Sequence, residues 1–399
     1  MMIWRLVQIT AALVILLAFA ACGGADPTAT PVPPVKQVEK VSQTPKFDAL
    51  VAEAKNAPNK EIIGWFEHLN EDLLRKWEDE WEKDFGFRIT ITSTPGHYSS
   101  KSSVALLVGH KAGTAVGDFA QHGAYSTYKG LDDGVYQKIN WEPLEEGYPI
   151  IKRFRADIPD VALLNDRGKM SDYCMMSEHV GYVWVYNTKN VTADEVATLK
   201  IEDLADAKWA DRVALSDGGG PFVHMLVTGE HPGWTKERYE TMVQSLIANG
   251  ALVVGGGTAG VLGLVIAGEA DIAVGYVNWA LNRVQEGAPI AVAPLAGDKV
   301  IPMHAMAACV PSLTMNGNEA LTQLFLGWRG VRGTAIQDDF FGTGSVMYAE
   351  FANPVTKLND AAGIRFPEDA AYYGTRTQLE NHLAYSKELK KKLLEWAAK

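Results

Sequence analysis

Positive charge is in short supply in this chain: 37 Lys and Arg stand against 48 Asp and Glu, a formal net charge of −11. A field of that sign repels phosphate backbones, so nucleic acid is excluded as a partner. Only 21% of residues are charged, against 47% hydrophobic, which excludes a disordered chain and a polytopic membrane protein. Enzyme signatures are missing too: no H-E-x-x-H, G-x-S-x-G or C-x-x-C is present. Ser126-Thr127-Tyr128-Lys129 matches S-x-x-K, but its K-T-G companion is absent, so the match is read as chance. Cysteine is rare, three in 399 residues, and the length predicts two domains large enough to bury cores without staples.

The N-terminus carries an address. One basic residue, Arg5, precedes an apolar run over 6–21 that is too short for a comfortable span and ends in Ala20-Ala21. Cys22 follows at once, then Gly23-Gly24. Such a junction resembles the bacterial lipobox, which implies a lipoprotein signal over 1–21 and a diacylated Cys22. Residues 22–46 form a Pro/Thr-rich tether; the stretch 25–46 holds five prolines and little that can pack. The protein is therefore expected to be exported and lipid-anchored at the periplasmic or outer face of a membrane.

The body alternates strands and helices. Residues 61–66 (EIIGWF) read as a buried strand, and Leu73, Leu74, Trp77, Trp81 and Phe85 give a helical stripe. RITIT over 88–92 is a second strand, and a third begins near 117–121, so the chain opens βαβαβ. The pattern recurs over 181–187, 212–215, 251–254, 271–276, 290–294 and 303–310, and a basic amphipathic helix ends the chain. The fold class is α/β, with two doubly wound units.

The order of several short elements carries a resemblance. Gly181-Tyr182 through Asn187-Thr188, Ile201-Glu202-Asp203-Leu204, Trp209 through Ala214, Gly268-Glu269-Ala270-Asp271 and Gln285 through Ile290 are similar to the type II periplasmic solute-binding proteins of ABC importers, closest to the ferric-ion-binding branch. The resemblance implies two lobes joined by a two-strand hinge: lobe 1 over 47–176 plus 309–399, lobe 2 over 177–308. It implies a ligand in the interlobe cleft, ABC permease and ATPase subunits as partners, a monomer, and no catalysis or cofactor. An enzyme or a ligand sensor on the same two-lobe frame is the alternative.

Candidate binding residues cluster where strands end. Gly255 to Gly260 fit G-x-G-x-x-G, but the acid of a dinucleotide site is missing at its usual distance, so the run reads as a helix N-terminus able to hold a polar or anionic ligand through Thr258 and Ala259. Gly219 and Gly220 belong to a second such turn. Trp65, Tyr98, Tyr182, Trp184, Tyr276 and Trp279 lie near strand ends and are candidates to stack on a solute, with Trp65, Tyr276 and Trp279 foremost. Glu67, His68 and Asp118 lie near the ends of the first and third strands, and His68 matches an iron ligand of the resembled branch. Where that branch has paired tyrosines, this chain reads Asn278-Trp279, with Tyr276 just before. Fe3+ prefers phenolate and carboxylate oxygen. Iron therefore stays open as a transported ligand only with a non-standard set that includes His68 and Tyr276. In a two-lobe protein the crossovers run side by side, which leaves Cys174 and Cys309 either as a disulfide or as two buried thiols.

Overall fold

The computed structural model describes residues 43–66, 71–94, 99–158, 161–217, 234–295, 301–341, 370–371 and 376–398. The signal, Cys22 and all of the tether but its last few residues lie outside them. Thr44 caps a helix at Pro45–Lys55, so the last two residues of the expected tether, Pro45 and Lys46, are helical.

Among the described residues ten strands follow in chain order: β1 (Glu61–Trp65), β2 (Thr90–Ser93), β3 (Phe119–Gly123), β4 (Cys174–Asn187), β5 (Val213–Ser216), β6 (Leu252–Val254), β7 (Ile272–Tyr276), β8 (Ile290–Ala293), β9 (Ile301–Cys309) and β10 (Ala370–Ala371). In lobe 1 the order is β2-β1-β3-β9-β4, with β1 parallel to β2 and β3. In lobe 2 it is β6-β5-β7-β4-β8, with β5 parallel to β6 and β7. Each lobe is thus a five-stranded mixed sheet with the same plan, three parallel strands followed by antiparallel ones.

The long strand β4, 14 residues, serves both sheets. Its first half pairs with β9 from Cys174↔Cys309 to Gly181↔Met303, with a bulge between Met176 and Glu178. Its second half pairs with β7 and β8. The sequence of that half, Tyr-Val-Trp-Val-Tyr, has the two-residue period of a strand buried on both faces. Tyr182, Trp184 and Tyr186 enter one hydrophobic cluster, and Val183 and Val185 enter another on the opposite face. A disulfide joins Cys174 to Cys309 at a Cα separation of 4.5 Å.

Lobe 1 has a continuous core that draws on residues from Phe47 to Met176 and from Ala307 to Ile336. Gly64 matters here, since a Cβ would enter the space of the Phe66 ring. The C-terminal helix, Arg376–Ala397, departs from the expected division of the chain. Its Leu379 belongs to the lobe 1 core, whereas Tyr385, Leu389 and Leu393 belong to lobe 2. The helix therefore cannot be assigned wholly to lobe 1.

Candidate functional site

Strand registers fix where the two sheets point. In lobe 1, Gly123 at the end of β3 lies opposite Met306, and Ala120 near its start lies opposite Cys309. The carboxyl end of β3 thus faces the side from which β9 arrives out of lobe 2. In lobe 2, Tyr276 at the end of β7 lies opposite Tyr182, and Ile272 at its start lies opposite Tyr186. Since β4 enters from lobe 1 at its Cys174 end, the carboxyl end of β7 faces lobe 1. Both parallel sets therefore aim their carboxyl ends at the junction, and each has a topological switch point there. In open α/β sheets that is where ligands bind.

The comparisons with known proteins agree with this geometry. No protein-family model and no curated protein sequence matches the chain. Solved structures do. The substrate-binding protein of an ABC transporter from Agrobacterium tumefaciens matches with a TM-score of 0.61 and 13% identity, over 85% of this chain and 96% of the other. The apo ferric ion-binding protein A of Pasteurella haemolytica matches at 0.59 and 14% identity, over 84% and 98%. A Trichodesmium protein in complex with iron and citrate ligands matches at 0.56 and 14% identity, over 85% and 100%. The fold is that of the type II periplasmic binding proteins. At these identities the likeness speaks for the fold, and the junction must be read on its own residues.

In this periplasmic-binding-protein frame, Trp65 ends β1. It is 9% exposed, and its indole N–H donates to the Val116 carbonyl at 3.1 Å. Gly117 lets the ring in, because a Cβ there would crowd the indole. Asp118 is fully buried. Its Oδ2 accepts from the Ile63 amide at 2.9 Å and its Oδ1 from the Asn316 amide at 2.8 Å. Burial raises the pKa of this carboxyl, and the backbone amides that it accepts from pull it back. Both oxygens are engaged within lobe 1, where they tie β1 to β3 and to the segment after β9.

On lobe 2, Tyr276 and Tyr182 pair across β7 and β4. Their ring centroids are 4.6 Å apart, and the Tyr182 hydroxyl donates to the Tyr276 hydroxyl at 2.9 Å. Tyr182 was one of the strand-end aromatics named from the sequence, but only the register shows that it stands against Tyr276. The helix Val277–Gln285 follows directly, with Asn278 in its first turn and Trp279 packed against the valine-rich core. The helix Gly257–Ala267 starts behind Gly256, which is left-handed at φ 88° and supplies no side-chain cap. Thr258 is partly buried and Ala259 exposed on its first turn. Gly275 lets this helix approach β7, since a Cβ there would stand 3.4 Å from the Thr258 methyl.

The ends of β5 and β6 are neighbours: Ser216 pairs with Val254, and the Asp217 amide donates to the Val254 carbonyl at 2.9 Å. Asp217 also meets Lys390 of the C-terminal helix at 2.7 Å, a contact that sequence spacing cannot reveal. Glu67, His68, Tyr98, Gly219 and Gly220 lie outside the described residues, as does the side chain of Asn278. Among the described residues, no group of three or more His, Cys, Asp or Glu is arranged to hold a metal ion. No helix among them is long and apolar enough to cross a membrane.

Proposed function

We propose that this protein captures a small solute at the junction of its lobes and delivers it to the permease of an ABC importer, held to the membrane by a lipid on Cys22. One observation carries the reading: two mixed sheets of the same plan point the carboxyl ends of their parallel strands at one junction, crossed by β4 and β9. Two lobes linked in this way can close about the paired strands. A solute that touches both lobes only when they are closed shifts the population toward that state. Such a protein binds, releases and turns nothing over. The export signal and tether of the sequence support delivery at a membrane surface. Trp279 and Tyr276 on lobe 2 offer aromatic surface to the solute, and the helix start at Gly256 to Ala259 offers backbone amides.

The test is native mass spectrometry of the protein purified from its host, followed by titration with the solute that it carries. Trp279→Ala is expected to weaken that binding by about 1–3 kcal/mol. A protein that carries nothing and converts an added compound would overturn the reading. A second reading, Fe3+ as the cargo, is favoured by the hydrogen-bonded phenols of Tyr182 and Tyr276. It predicts a visible charge-transfer band on adding Fe3+ with citrate, lost in Tyr276→Phe.

A further inference from the structure

The C-terminal helix touches both cores, and its contacts change sides partway along. Leu379 is fully buried in lobe 1. Tyr385, Leu389 and Leu393, spaced one turn apart, are buried in lobe 2, with Trp396 at the edge. Glu380, Asn381 and Ala384, between the two sets, are exposed.

Polar contacts divide in the same way. At the lobe 1 end, Arg376 forks onto Asp132, with Nη2 to Oδ2 at 2.5 Å and Nη1 to Oδ1 at 3.0 Å, and its guanidinium lies 5.5 Å from the Tyr128 ring. At the lobe 2 end, Glu240 accepts from Lys392 at 2.7 and 2.9 Å and from the Tyr385 hydroxyl at 3.1 Å. Lys236 meets both oxygens of Glu388 at 2.8 Å, and Lys390 meets Asp217 directly after β5.

The charge of Arg376 is the telling detail. It is the first described residue of the helix, and it has two carboxylate partners: Glu380, one turn along the same helix at 2.8 Å, and Asp132 of lobe 1. A helix of 22 residues is stiff. Pinned to both lobes, it cannot follow a rotation of one against the other about β4 and β9, so one end must let go. The lobe 2 end has three buried apolar or aromatic side chains and three lysine–carboxylate contacts; the lobe 1 end has Leu379 and the single cation Arg376, which forks onto Asp132, donates to the Ala162 carbonyl at 3.4 Å and lies over the Tyr128 ring.

We propose that the C-terminal helix is a strap across the junction, and that Arg376–Asp132 with Leu379 is the latch that releases when the lobes rotate. The proposal rests on the two-lobe hinge reading above, but its test needs no solute. Asp132 also accepts from the Leu164 amide at 2.8 Å, so Arg376→Gln is the cleaner variant. Hydrogen exchange and small-angle scattering on the full chain read it. Arg376→Gln and Leu379→Ala are each expected to speed exchange over residues 376–384 by about tenfold, to leave 385–397 at wild-type protection, and to shift the radius of gyration. Glu380→Gln, which removes the intrahelical partner of Arg376 and spares Asp132, is expected to leave both readouts unchanged.

Uniform acceleration over 376–397 would overturn the proposal, since the helix would then open as one unit. Local acceleration with unchanged scattering would overturn it as well, since the lobes would then be indifferent to the latch. A protein that carries no solute but shows the expected pattern would refute the transport reading and leave the strap standing.

Discussion

Lobe 1 and lobe 2 share a strand order and differ in how they are filled. In lobe 1 the rings form one connected cluster: Phe66 against Phe119 at 5.2 Å, Phe119 against Phe325 at 5.3 Å, and Trp81 against Trp328 at 5.4 Å. In lobe 2 the sheet divides the core, with tyrosine and tryptophan on one face of β4 and valine and leucine on the other. Lobe 1 also buries a whole guanidinium. Arg329 lies 4.5 Å from the Trp77 ring and donates to Thr334 at 2.6 Å, Gln337 at 2.7 Å and Gln121 at 3.2 Å. This happens where the helix Glu319–Trp328 widens into a π-helical turn over Arg329–Gly333, a form that helices adopt only locally. Strand order decides where the binding ends point, while side-chain volume decides how each lobe is filled.

The comparison breaks most directly at Trp77, which is fully buried and donates its indole N–H to the Gly333 carbonyl at 2.9 Å. Trp77→Ala is expected to cost about 4 kcal/mol, because it leaves a cavity beside Arg329 and an unpaired carbonyl. Urea unfolding followed by hydrogen exchange should locate that loss in lobe 1. Equal loss of protection in lobe 2 would mean that the lobes unfold as one unit.

The disulfide sharpens the same question at the hinge. Its cysteines are 135 residues apart in sequence, and strands β5 to β8 lie between them. Cys174→Ala with Cys309→Ala is expected to lower stability by about 3 kcal/mol in urea titrations. In the parent chain both cysteines should resist alkylation when denatured without reductant, as intact mass will show. Modification of both would refute the bridge.

A smaller, pH-dependent effect belongs to lobe 1. His122 is buried on β3, its Nδ1 is 3.1 Å from the Tyr136 hydroxyl, and burial holds its pKa down at about 3. Above pH 6.5 the imidazole is neutral whether folded or unfolded, so it adds no pH dependence. As pH falls from 6.5 toward 3, the unfolded chain takes a proton that the folded chain refuses, and stability is lost. One such group costs about 2 kcal/mol at pH 5. His122→Gln should flatten that part of the stability profile by this amount; an unchanged slope between pH 7 and 5 would assign the loss to other groups.

Much of the frame was legible from local pattern. The apolar stripe of Leu73, Leu74, Trp77 and Trp81 marked a helix that the structure gives as Glu71–Phe85, and those four side chains are buried. The alternation in 182–186 marked the strand that both lobe 2 clusters share. The first half of β4 escaped notice, because Cys174-Met175-Met176-Ser177 has neither β-branching nor alternation. It is a strand because β9 pairs with it. Trp65 does end β1, but Asp118 precedes β3 and does not follow it, and the partners of the two side chains, Val116, Ile63 and Asn316, offer main-chain atoms that no side-chain pattern announces.

By itself the sequence determined what depends on neighbours along the chain: an apolar run before Cys22, a proline-rich stretch after it, helix and strand periodicities, and glycines where turns need them. These follow from short-range sterics and from the burial of apolar faces. Tertiary structure alone decided what depends on contacts between distant segments. It set Tyr182 against Tyr276, Lys390 on Asp217, Arg376 on Asp132, and one helix across two cores. The reason is that a strand register or a helix seat is chosen by whichever surface lies opposite once the chain has folded. A residue carries its own polarity and shape, but its partner's position is a property of the fold.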